Sequence, residues 1–177
     1  MSPFGWLSSG AGRALQALAV TGCLLGVAVG PAAAHHADQD PHCNQMGGSN
    51  ACLWVTPIGA DIYRVHVGID VSMGEEDIEA AILLQEQGGS VFSASIWGDD
   101  GSDADDDRLF DVPLVFQGPG PNGYGGDFEV LASGEILNED TSRFGSRQDE
   151  IVGKIRVFFP RTNQTITYET GVVRHHF

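Results

Sequence analysis

Residues 63–72 alternate strictly between apolar and polar positions. Tyr63, Val65, Val67, Ile69 and Val71 fall on one side, and Arg64, His66, Gly68, Asp70 and Ser72 on the other. A β-strand sends successive side chains to opposite faces, so this stretch reads as a strand with one face buried and one in water, the habit of antiparallel sheets. A helix, with its period of about 3.6, would scatter both sets around its axis. Whatever this chain folds into must seat that strand.

The remaining apolar content comes in short runs of the same kind. Residues 52–56 read as a strand stopped by Pro57. Residues 90–97 alternate with Phe92, Ala94 and Ile96 on one side, and residues 109–116 read as an edge strand because they carry Pro113. Residues 128–131, 135–137, 151–159 and 165–170 complete the strand set. Residues 73–87 read either way. Ser72 with Glu75 resembles a capping box, yet Ile78, Ala80, Ile82 and Leu84 alternate with Glu79, Ala81, Leu83 and Gln85. With β-structure on both sides, a strand is the expectation. Residues 117–126, with five glycines and two prolines, are expected to form a long irregular loop. Tyr124 in that loop is either a recognition residue or packs back on the domain. Short strands at this spacing with glycine-rich turns predict an all-β antiparallel β-sandwich, Greek-key or jelly-roll in style, with seven to nine strands and at most one short helix.

The first 34 residues are expected to be a signal peptide. A lead whose only cation is Arg13 precedes an apolar run, and Pro31-Ala32-Ala33-Ala34 offers a small-residue cleavage site. The run is too short and glycine-rich to predict a membrane span. Val20-Thr21-Gly22-Cys23 offers an alternative, a lipoprotein anchored at Cys23, but the apolar run continues past the cysteine. Residues 35–51 are then expected to be a flexible segment with a disulfide loop, and 52–177 the sandwich. Secretion would leave Cys43 and Cys52 as an even pair in an oxidising compartment, which predicts a disulfide between them.

The chain carries 24 acidic residues against 9 cations, for a net charge of −15. Losing residues 1–34 would remove Arg13 and no carboxylate. A field of that sign excludes nucleic acid and anionic membrane surfaces as partners. The acids are concentrated. Residues 99–111 hold seven aspartates and a single cation, Arg108. Such a loop repels itself unless water, salt or a bound cation relieves it. Calcium takes six to eight oxygens, often from alternate positions of one loop, and Asp99, Asp103, Asp105, Asp107 and Asp111 give that alternation. The loop is not an EF-hand, because Arg108 stands where the glycine belongs and the bidentate glutamate is missing. Glu139, Asp140, Asp149 and Glu150 form a second acidic set, which could share an ion with the first if both emerge at one end of the sandwich. Acidic inter-strand loops of this kind resemble those of calcium-dependent C2-like and lectin-like domains in architecture, with no shared motif. The competing reading is a solvated acidic loop.

Histidines gather near the ends of the expected mature chain: His35, His36 and His42 at one, His175 and His176 at the other. An N-terminal His35 would resemble, in that one residue, the copper brace of lytic polysaccharide monooxygenases, with His42, His66 or His176 as a further ligand. No Gly-x-Ser-x-Gly elbow and no His-Glu-x-x-His is present, and paired carboxylates such as Glu139 and Asp140 arise by chance in so acidic a chain. Asn163-Gln164-Thr165 matches a glycosylation sequon. The expectation is a secreted domain that binds an extracellular ligand, a carbohydrate or a protein, without catalysis and with calcium as its ion. A copper- or zinc-binding extracytoplasmic protein is the second expectation, and a small secreted enzyme the third.

Overall fold

The computed structural model describes residues 40–99, 106–138 and 148–177. The segment between the two cysteines is a hairpin. Strand β1 (His42–Met46) turns through Gly47 and Gly48 into β2 (Ser49–Pro57). Both glycines have positive φ, +59° and +83°, as a two-residue turn matched to strand twist requires. Cys43 and Cys52 face each other directly in this register, and their sulfurs stand 2.10 Å apart, at bonding distance.

The alternating stretch forms β3 (Ile62–Ser72). Val65, Val67, Ile69 and Val71 are buried, and their polar neighbours face outward. Residues 75–86 then depart from expectation, because they form a helix, α1 (Glu75–Glu86), and not a strand. The alternation was coincidental. Ala81, which it had placed among polar residues, is the buried position, and Ile78 and Leu84 join it at helical spacing against the core. Three acids, Glu75, Glu76 and Asp77, sit in the first turn, where the helix dipole favours them. At the other end Gly88 takes φ +80°. Its N–H bonds to the Gln85 carbonyl, and the Gly89 N–H to the Leu84 carbonyl, both at 2.9 Å, which is a Schellman stop.

Strand β4 (Phe92–Gly98) follows as expected, burying Phe92, Ala94 and Ile96. The proline-bearing run becomes two strands, β5 (Arg108–Val112) and β6 (Leu114–Gly120), in different sheets. Pro113 is the corner between them, and each strand is an edge of its sheet, where a missing N–H does least harm. The glycine-rich stretch is not an irregular loop. β6 and β7 (Gly123–Ser133) pair as a hairpin around Pro121 and Asn122, whose N–H bonds to the Asp70 carboxylate at 3.1 Å. Gly126 leaves room for the Phe92 ring, which a Cβ would meet at 2.9 Å. Residues 135–137, expected as strand, fall instead in a single helical turn, α2 (Gly134–Leu137). The chain closes with β8 (Asp149–Phe159), β9 (Gln164–Glu169) and β10 (Val173–His175).

Among the described residues ten strands make two antiparallel sheets. The first runs β1-β2-β3-β7-β6. The second runs β10-β8-β4-β5, with β9 also on β8. Thr170 covers the break between β9 and β10, since its hydroxyl accepts the buried Gly153 N–H at 2.9 Å. The inner faces meet in one core, with Leu53, Val67, Val71 and Phe128 on one side and Ile96, Ile151, Ile155 and Val157 on the other. The chain is therefore an antiparallel β-sandwich, with one helix more than a turn long among the described residues. No helix there is long and apolar enough to cross a membrane.

Candidate functional site

Antiparallel pairing of β4 with β8 puts the end of one strand beside the start of the other. Gly98 lies opposite Ile151, and the Asp99 N–H donates to the Glu150 carbonyl at 2.7 Å. The flanks of the two acidic segments thus meet at one end of the second sheet. Asp107 returns the chain to the same place, its carbonyl accepting the Gly98 N–H at 2.9 Å.

Three cations from three strands answer carboxylates here. Lys154 of β8 reaches Asp106 at 2.6 Å and Glu169 at 3.3 Å, and its ammonium lies 4.9 Å from the centre of the Trp97 ring. Arg108 of β5 pairs with Asp111, and Arg174 of β10 grips both oxygens of Glu150, at 2.7 and 3.4 Å. The Asp106 side chain is only 5% exposed. Its Oδ1 is buried with no hydrogen-bond partner among the described residues, so Lys154 carries most of the compensation for that charge. Burial by itself would lower the Lys154 pKa. The hydrogen bonds and charges of Asp106 and Glu169 outweigh it, and the net shift is upward.

Of the residues expected to bind calcium, Asp99, Asp107, Asp111 and Asp149 are described, and they do different things. Asp107 and Asp111 are exposed, and Asp111 is held by Arg108. Asp149 is buried and accepts the Phe177 N–H at 3.3 Å. Asp103, Asp105, Glu139 and Asp140 lie outside the described residues. Among those described, no three His, Cys, Asp or Glu side chains converge closely enough to hold a metal ion. Asp106 and Lys154 were the members that sequence reasoning missed. The pair is separated by 48 residues, and only the register of β8 brings it together.

The histidines divide. His42 and His175 line one cavity of about 260 Å³ together with Asp40, Tyr63 and Phe177, so the two ends of the described chain do meet. Tyr63, His175 and Phe177 pack there edge to face, with centroids 5.1–5.9 Å apart. His66 stands elsewhere, on the outer face of the first sheet, 3.2 Å from Asp127 and edge-on to Trp54. His35 and His36 lie outside the described residues. Tyr124 is fully buried, not an exposed recognition residue. It stacks on Phe92 and donates its hydroxyl to Gln85 at 2.7 Å.

Compared with known proteins, the chain matches no family model, no curated protein and no solved structure.

Proposed function

We propose that this chain is an exported, non-catalytic β-sandwich domain that works by binding, with calcium ordering its acidic end. One observation carries the calcium reading: the Asp99–Glu150 hydrogen bond, which sets the flanks of both acidic segments side by side. Two loops opening from one place can contribute oxygens to a common ion, and calcium accepts such a flexible, oxygen-only set. Seven aspartates against one cation in residues 99–111 is a density of like charge that a bound cation would relieve. Export is supported by the leader pattern of residues 1–34 and by the Cys43–Cys52 pair at bonding distance. The test is a thermal melt of the protein in calcium and in chelator, with magnesium as control. Calcium at about 100 times its dissociation constant adds about 2.7 kcal/mol of stability. An unchanged melting temperature would sink the calcium reading.

A second reading has its own observation. His42 and His175 line one cavity with Asp40, so copper or zinc would find imidazole and carboxylate donors nearby, although the three side chains do not converge in this structure and would have to be drawn together by the ion. Titration with Cu(II) checks it: the reading requires binding that both His42→Ala and His175→Ala abolish.

A further inference from the structure

The corner at Pro113 leaves a notch in the second sheet. β5 pairs with β4 from Trp97 back to Ala94, where Val112 lies opposite, and the chain then leaves for the first sheet. Beyond that point Phe92 and Ser93 have no β5 partner. The gap is a cavity of about 600 Å³. Its floor is apolar, where Leu114 and Phe128 come through from the core. Its wall is polar: Ser93, Ser95, Trp97, Arg156, and Arg108 paired with Asp111.

Arg156 is the anomaly in that wall. Among the described residues the other five cationic side chains all stand within ion-pair distance of a carboxylate: Arg64 with Glu129, Arg108 with Asp111, Lys154 with Asp106, Arg161 with Glu76 and Arg174 with Glu150. Arg156 has no such partner among the described residues, although acids outnumber cations by 24 to 9 in the sequence. It projects from the outer face of β8, with Ser93 beside it on β4 and Thr167 beside it on β9, both hydroxyl residues. Trp97 supplies a half-buried ring whose N–H is already engaged by Ser95 at 2.8 Å.

Resting on the reading of this chain as a binding domain, we infer that the notch receives an acidic sugar, its carboxylate on Arg156. A planar guanidinium matches a carboxylate with two parallel N–H bonds. Lys154 stands 4.9 Å from the centre of the Trp97 ring, so the ring offers the C–H face of a pyranose only its side away from that ammonium, and Ser93 with the Asp111 carboxylate, also paired with Arg108, suits its hydroxyls. The surrounding field disfavours anions in general, so a guanidinium without an ion-pair partner among the described residues gives selectivity for an anion that also fills the notch.

The experiment is a residue-resolved NMR titration of the protein with D-glucuronate, D-glucose and N-acetyl-alanine. The expected result is shifts at the Trp97 indole N–H and the Ser93 amide, with glucuronate binding tightest. Arg156→Met keeps the aliphatic stem and should weaken glucuronate about tenfold or more, while leaving glucose unchanged. Arg161→Met, outside the notch, should change nothing. Equal binding of glucose, tighter binding of N-acetyl-alanine, or an Arg156→Met variant with undiminished affinity would overturn the assignment. So would shifts confined to Asp99 and Glu150, which would place the sugar at the acidic end through a bridging ion. The calcium melt is read separately, so either idea can fail alone.

Discussion

Replacing Lys154 by Met would strand the buried Asp106 carboxylate. Loss of one partner of a buried pair costs about 3 kcal/mol or more, whereas removing both charges together costs far less. Lys154→Met should therefore be strongly destabilising in denaturant melts, and Lys154→Met with Asp106→Asn should recover most of the loss. A double variant as unstable as the single one would mean that Lys154 acts through its packing on Trp97. The same residue sets part of the alkaline limit. The Lys154 pKa is raised in the folded chain above its ordinary 10.5, so its contribution is complete below that pH and is lost as pH rises through the folded value. Burial likewise raises Tyr124 above 10.0, with the same sign, because folding favours the protonated form. Stability should fall above about pH 10. Tyr124→Phe should cost about 1 kcal/mol at neutral pH through the lost bond to Gln85, and should make the alkaline decline shallower. An unchanged pH profile in that variant would exclude Tyr124 as a contributor.

Among the elements, the β1–β2 hairpin joins covalent and hydrogen-bonded closure in one place. Because Cys43 and Cys52 are already cross-strand neighbours, their bond mainly restricts the unfolded chain. Cys43→Ala with Cys52→Ala should lower stability by about 2–3 kcal/mol and leave the sheet intact by circular dichroism. Loss of β structure would show instead that the hairpin depends on the bond for its formation. Period two was a sound guide wherever a strand had a buried face, as in β3, β4 and β8. It misled at residues 75–86, where apolar residues satisfied both periods and the decision lay in the ends: acids in the first turn, and Gly88 free to take positive φ. Glycine and proline misled in the opposite direction at residues 117–126. They were read as breakers, but at a sheet edge proline has no N–H to waste, and small residues admit the Phe92 ring. Pro113 marked an edge correctly, but that it divides two sheets follows from packing, which no local pattern records.

On the scale of the whole molecule, the acidity is partly answered from within. The density of carboxylates in residues 99–111 was plain in the sequence. That Lys154 and Arg174 stand beside them was not, because strand order sets that neighbourhood. The same order joins the flanks of the two acidic segments and opens the notch at Pro113, so one topology produces both candidate sites. The most direct measurement of the central claim is the metal content of the protein purified from its native source, by mass spectrometry after exhaustive exchange into metal-free buffer. The account predicts stoichiometric calcium, lost on treatment with chelator together with thermal stability. Protein that carries no calcium and melts identically with and without the ion would contradict it.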